Sequence, residues 1–415
     1  MKIGIGYGET TQEVSLRDES VLGVLLPKQV DASINEDSVV IDSLSAPIGS
    51  LPLSQMVGKG KKVAIITSDI TRPLPSYKVI PHVLKQLLEA GVKQDDVVVV
   101  FALGIHRKQT EAEMIKLVGR EVYETVRCVD SDTEDVVRMG VTSMGTLVDI
   151  FAPVANADVR IGIGNIEYHY FAGYSGGVKA LMPGVSTREA IGNNHSMMVR
   201  DEAAQGKLEG NPVRMDMEEA LGICPLHFIV NVVLDEQKNI VHCVSGDVIA
   251  AHREGCKLLD DIYSVKISER ADIVIASQGG YPKDLNLYQL QKALDNAKFA
   301  VKKGGIIILA GTCKEGLGED VFEEWMMSAK THKELIERIQ ADFVLGGHKA
   351  AAIAMVLEQA EIYLVSEMED SLVEDLFMRP FSSVQAAYEA AASNFEDATV
   401  IVMPYAGSVL PVDGC

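Results

Sequence analysis

The densest group of reactive side chains lies at residues 165–196, NIEYHYFAGYSGGVKALMPGVSTREAIGNNHS. Glu167, His169, Lys179 and His195 fall within it, with Gly173, Gly176, Gly177 and Gly184 between them. Glycines let a backbone approach an anion closely, and a helix opening at Val178 would aim its first N–H groups at a phosphate, with Lys179 beside it. Two common nucleotide motifs fail here. A P-loop needs GxxxxGK[ST], but Val178 precedes Lys179 and Ala180 follows it. A dinucleotide fingerprint starts with Gly162 and Gly164, but Glu167 occupies the third glycine position.

Three shorter motifs could act with this segment. SDITRPLP, residues 68–75, follows a β-rich run, so Asp69 and Arg72 belong to a strand-to-loop turn, where a guanidinium fork suits a carboxylate or phosphate. GIHR, residues 104–107, places His106 at the C-terminal end of an apolar strand. GGYPKDLNLYQLQK, residues 279–292, carries Tyr288, Gln289 and Lys292, and on a helix Tyr288 and Lys292 share a face.

Each residue also has an ordinary explanation. A single histidine is more often structural than catalytic, and that reading is kept for His82, His227, His242, His252 and His332. Asp69 could cap a turn with Arg72 paired to it, the Tyr288 trio could be a solvated helix face, and Glu167 could orient His169 or lie on the surface. Met197 and Met198 read as packing residues.

The elements that must position these side chains alternate between strand and helix. Apolar runs at residues 62–68, 97–103, 159–164 and 228–234 are separated by helical stretches, which predicts an α/β domain with much parallel sheet. Thr110 and Glu113, three apart, predict a capping box at the start of the helix after His106. A second series at 273–276, 306–310, 362–365 and 400–403 predicts another doubly wound unit. The expected organisation is therefore two α/β domains, 1–265 and 266–415, with an active-site cleft between them.

Bulk properties exclude several classes. A formal charge of -21 repels nucleic acid and anionic membrane surfaces, so any carboxylate site must be built from local cations. The six cysteines, at 128, 224, 243, 256, 313 and 415, form no CxxC pair and read as mostly buried thiols of a reducing compartment. No apolar run approaches the roughly 18 residues needed to span a bilayer, and a cytoplasmic enzyme is expected.

Taken together, SDxTRP, GxHR, HxFAGxSGGxKxxxPG, NHS and GGYPxDxNxYQxxK occur in an order that closely resembles the lactate racemase family, across nearly the whole chain. The resemblance implies an isomerase that inverts C2 of a 2-hydroxy acid with a nickel-pincer nucleotide, a pyridinium-3,5-bisthiocarboxylate mononucleotide carrying Ni(II). It implies that Lys179 anchors this cofactor through a thioamide, that His195 is the fourth nickel ligand, and that Asp69, Gly173, Ser175, Gly176 and Gly177 surround it. A square-planar donor set suits Ni(II). His106 and His169 match the two acid–base histidines, and Arg72, Lys292 and Gln289, with Tyr288 and His348, match the substrate site. The small-molecule acid and the cofactor-making enzymes of the host are the implied partners.

The chemistry accounts for two histidines. A carboxylate stabilises a neighbouring carbanion poorly, so hydride removal from C2 to an electrophilic pyridinium carbon is easier than deprotonation. One histidine takes the hydroxyl proton, a 2-oxo acid forms, and hydride returns to its other face as the second histidine donates. Where the family pattern leads one to expect a tryptophan, LGGHKAAAIA carries His348 and then Lys349. That exchange opens a second substrate class, C2 epimerisation of an aldonate such as gluconate. The competing classes are a non-catalytic carboxylate binder and an NAD-dependent dehydrogenase, the latter disfavoured by the failed fingerprint.

Overall fold

The computed structural model describes residues 1–30 and 34–414. They form two compact units, one of residues 30–261 and one of residues 1–29 with 262–415. Each is α/β and built on a six-stranded, largely parallel sheet.

In the 30–261 unit the strand order is Ile240–Gly246, Phe228–Leu234, Val159–Ile166, Val63–Ser68, Val97–Ala102, Arg127–Asp130, and only the first of these runs antiparallel to its neighbour. All eight residues of Val159–Ile166 are buried, as expected for a parallel strand covered on both faces. The chain moves from Val63–Ser68 to one side and returns on the other side at Val159–Ile166, so the sheet has a topological switch point there. Three adjacent parallel strands thus end at Ser68, Ala102 and Ile166 along one sheet edge. The loops that follow carry Asp69 and Arg72, His106, and His169.

Helix Ser76–Glu89 covers this sheet with a stripe formed by Val79, Ile80, Val83, Leu84 and Leu87, all buried. Truncating a fully buried member such as Leu87 to alanine costs about 2–5 kcal/mol. The capping box is present: Glu113 N donates to Thr110 Oγ1 at 3.3 Å and Thr110 N donates to Glu113 Oε2 at 2.8 Å. Arg107 adds a bidentate pair to Glu113, at 2.7 and 2.9 Å, and fastens the loop holding His106 to this helix.

The other unit orders its parallel strands Arg379–Phe381, Glu361–Val365, Val301–Ala310, Ala271–Ser277, Val400–Met403, Val21–Val24. The last strand comes from the start of the chain, preceded by an antiparallel hairpin of Lys2–Tyr7 and Thr10–Ser15. The expectation that residues 1–265 form one domain is corrected accordingly: the first 29 residues belong with the C-terminal unit. Local pattern carries no record of a pairing between residues almost 400 apart.

Cys224, Cys256 and Cys313 are buried thiols and Cys128 and Cys243 are half-buried; Cys415 lies outside the described residues. Among the described residues no helix is long and apolar enough to cross a membrane.

Candidate active site

Asp69 and His106 meet directly. Asp69 is 2% exposed, and its Oδ2 accepts from His106 Nδ1 at 2.5 Å while Oδ1 accepts from Thr71 Oγ1 at 2.6 Å. Burial alone would raise the Asp69 pKa, but hydrogen bonds from His106 and Thr71 and the charges of His106 and Arg72 hold it below the usual value. A carboxylate can only accept, so Nδ1 of His106 is the donor in this bond, and in the neutral ring the lone pair belongs to Nε2. Gln109 ties the two loops together, accepting from Ile70 N at 2.8 Å and donating through its own N to Asp130 at 2.9 Å. Asp69 thus holds His106 through Oδ2 and Thr71 through Oδ1. Arg72 is exposed beside this pair.

His169 sits in a two-residue antiparallel ladder, Tyr168–His169 against Gly173–Tyr174. The ring of Phe171, at the turn of this hairpin, gathers three side chains: His169 edge-on at 4.5 Å, His195 at 4.9 Å and the Lys179 ammonium 5.8 Å from its centroid. Phe171 is 2% exposed, and sequence reasoning assigned it nothing. Its signal was its place as the fixed aromatic of the HxFAGxSGGxK motif, between His169 and Lys179.

His169 and Lys179 keep some accessible surface, yet dense protein around each group strips away most of its solvent. Desolvation, then the charges of Lys179, Arg72, His195 and Arg214, hold His169 well below the ordinary imidazole range. Desolvation, then Arg214 and Arg72, hold Lys179 well below the ordinary ammonium range, and Glu167 opposes this only weakly. Both are therefore biased toward neutral forms, one a potential base and the other a potential nucleophile.

Arg214 is the cation that sequence reading missed. It lies on helix Pro212–Ile223, is fully buried, and donates to the carbonyls of Ala172 and Tyr174; burial lowers its pKa to about 10. Asn211, the N-cap of that helix, donates to Phe171 O at 2.8 Å. One helix end thereby clamps the hairpin that carries His169. Glu218, one turn on, is the ion-pair partner of Arg214 at 4.0 Å, and among the described residues Arg214 Nη1 has no hydrogen-bond partner.

The glycine-rich stretch differs from expectation. Val178 does not open a helix; Gly177–Ala180 is a single 3₁₀ turn, and Gly177 N already donates to Asn231 Oδ1 at 2.7 Å. A Cβ on Gly173 would lie 2.2 Å from Lys207 O, one on Gly176 2.8 Å from Asn231 Oδ1, and one on Gly177 2.8 Å from the ring of His252. At each of these glycines a protein neighbour already occupies the place of a Cβ. The Ser175 hydroxyl is likewise engaged, donating to Asn165 O at 2.7 Å and accepting from Glu167 N at 2.9 Å. Asn231 and His252 therefore shape the Lys179 turn, and His252 keeps its structural role by bonding Ser175 O at 2.8 Å.

In the other unit, Tyr288, Gln289 and Lys292 occupy the first two turns of helix Leu287–Ala297, whose N-cap Asn286 accepts from Gln289 N at 3.0 Å. Gln289 and Lys292 are exposed and Tyr288 is half-buried. His348 and Lys349 are buried on helix Gly347–Leu357. Lys349 Nζ donates to Tyr288 O at 2.5 Å and stands 4.0 Å over its ring. Desolvation and the charge of Lys292, opposed by Asp295, lower the Lys349 pKa to about 7.

The fold and these side chains define an α/β enzyme with an Asp-oriented histidine, a second desolvated histidine and a buried neutral-leaning lysine. Residues 7–206 match the lactate racemase N-terminal domain family and residues 266–410 the lactate racemase C-terminal domain family. The chain is 33% identical to the lactate racemase of Thermoanaerobacterium thermosaccharolyticum, covering 98% of both, and 31% identical to that of Lactiplantibacillus plantarum, covering 97% of both. The apoprotein structure of the Thermoanaerobacterium enzyme superposes with a TM-score of 0.89 over 100% of both chains, at 31% identity. A Thermotoga maritima protein shares the fold at a TM-score of 0.64 and 17% identity, covering 93% of this chain and 100% of its own. The chain belongs to the lactate racemase family and is an enzyme of the isomerase class.

Proposed function

We propose that this enzyme inverts C2 of a 2-hydroxy acid, lactate or a short relative, with a nickel-pincer nucleotide attached to Lys179 and His195 as the protein's nickel ligand. The observation that carries the proposal is the gathering of Lys179, His169 and His195 around Phe171. The residues fit the cofactor. A thioamide needs a neutral amine, and Lys179 is held toward that form. Arg72 and the buried Arg214 are the cations offered to an anionic nucleotide. His195 would be the protein's donor to nickel, with the other donors supplied by the organic group.

When bound, the nucleotide supplies the electrophilic carbon that accepts and returns a hydride. The protein supplies the proton chemistry. His106, oriented by Asp69, takes the hydroxyl proton through Nε2. His169, whose charged form is disfavoured by burial and nearby cations, is a strong donor once protonated and a neutral base otherwise. The roles exchange for the opposite enantiomer. Arg72, exposed beside the Asp69–His106 pair, is the cation that its unit offers the substrate carboxylate.

The test is intact mass and nickel content after co-production with the cofactor-making enzymes. One adduct and about one nickel per chain are expected, with the adduct lost in Lys179→Ala; unmodified wild type from a host that loads a known lactate racemase would contradict it. A second reading, an aldonate substrate, is favoured by buried polar His348 and Lys349 where the family resemblance implies tryptophan. Activity on gluconate exceeding that on lactate would select it.

A further inference from the structure

Helix Arg188–Ser196 carries both His195 and Asn194, and both are buried. Asn194 Nδ2 donates to Val213 O at 3.1 Å and to Asp216 Oδ2 at 2.7 Å. A carbonyl and a carboxylate can only accept from a neutral amide, so these two contacts fix which end of the Asn194 amide is nitrogen. Its oxygen then faces His195 Nδ1 at 2.9 Å and must accept from it. A neutral imidazole carries one N–H, so with Nδ1 protonated the lone pair belongs to Nε2.

Asp216 is itself locked. It is fully buried on Pro212–Ile223; Oδ1 accepts from Thr142 Oγ1 at 2.5 Å and Oδ2 from Thr146 Oγ1 at 2.7 Å. Thr142 Oγ1 accepts from Thr146 N at 3.1 Å and Thr146 Oγ1 accepts from Asn193 Nδ2 at 2.8 Å, so both hydroxyl protons are left to point at the carboxylate.

We infer that Asp216 and Asn194 are positioning residues that set the tautomer of His195, directing its Nε2 lone pair to the metal through a carboxylate–amide–imidazole chain. The inference rests on His195 being the nickel ligand only for its purpose; the tautomer is a property of the metal-free protein. Metal-ligating histidines commonly donate their second N–H to a protein acceptor, which fixes the ring and raises its basicity. Here an amide is interposed between the ring and the carboxylate. The Asp216 side chain is thus kept one residue away from the metal ligand.

The decisive experiment uses apoprotein labelled with ¹⁵N in its histidine rings. Long-range ¹H–¹⁵N correlation spectra are recorded in mildly alkaline buffer, with His195 identified by its absence in His195→Gln. The expected result is a predominantly Nδ1–H ring in wild type and a shift of roughly tenfold toward Nε2–H in Asn194→Leu, the worth of one hydrogen bond. Asn194→Ser serves if the leucine variant does not fold. An Nε2–H ring in wild type, or an unchanged tautomer in a folded Asn194 variant, would overturn the inference. In loaded enzyme the Asn194 variants should keep the covalent adduct and hold nickel about 10–100-fold more weakly. An Nδ1–H ring in a protein that acquires no nickel would instead count against the nickel reading and leave the tautomer assignment standing.

Discussion

His106 Nδ1 lies 2.5 Å from Oδ2 of Asp69, a carboxylate 2% exposed at the end of the neighbouring parallel strand. The contact fixes the ring and leaves Nε2 as its acceptor. Asp69→Asn can present its amide N–H to the ring and invert the tautomer. We expect kcat to fall about 10²–10⁴-fold, with the covalent adduct retained. Steady-state kinetics beside intact mass check this, and a loss below about threefold would remove the orienting role.

Lys179 costs the apoprotein stability. Its folded pKa is depressed, whereas the unfolded chain binds that proton up to about pH 10.4. Between the folded and unfolded values unfolding therefore takes up a proton, and stability rises with pH across that interval. Lys179→Met should stabilise the apoprotein by roughly 1 kcal/mol or more at pH 7, the gain shrinking as pH approaches the unfolded value. Urea midpoints of the two proteins measure it; a destabilised variant at neutral pH would refute it.

His169 and His252 are both held well below the ordinary imidazole value, chiefly by desolvation. The unfolded chain protonates them near about pH 6.5, and the native state does so only at lower pH. The stability they contribute as neutral rings is complete above that value and declines as pH falls below it. Urea midpoints should therefore drop between about pH 7 and about pH 5, less steeply in His252→Gln. An equal slope in wild type and variant would mean that His252 charges as easily folded as unfolded.

Gly173 has φ +76° and faces Lys207 O, whereas Gly145 has φ +84° with open space around it. Gly145→Ala should cost about 1 kcal/mol and Gly173→Ala about 3 kcal/mol or more, because the latter also displaces the loop packed on the hairpin of His169. Equal costs, read from denaturant midpoints, would show that the Lys207 contact yields easily.

Much of this was legible from residue order. Apolar runs such as Val159–Ile166 announced buried parallel strands, and the motif loops after Ser68 and Ala102 had to share a sheet edge once those strands paired. Thr110 and Glu113 signalled their helix start through a local rule. What stayed hidden was non-local. Val21–Val24 pairs with Val400–Met403, and no pattern near residue 21 encodes its partner. Arg214 and Asp216, on a mid-chain helix, carry no local signal of burial, and the fold buries both completely. At the singled-out glycines the fold shows one requirement that residue order did not name: close approach of Lys207, Asn231 and His252 demands a missing Cβ.

The central claim is inversion by hydride removal and return with proton transfer through His106 and His169. Incubating the loaded enzyme in ordinary water with one enantiomer of lactate deuterated at C2 tests it most directly. Both enantiomers should appear with the deuterium still on carbon, because a hydride that is held and returned does not exchange with solvent. Inversion accompanied by deuterium washout would mean proton abstraction at C2, and failure of a nickel-loaded protein to invert this or any other 2-hydroxy acid would contradict the proposed function itself.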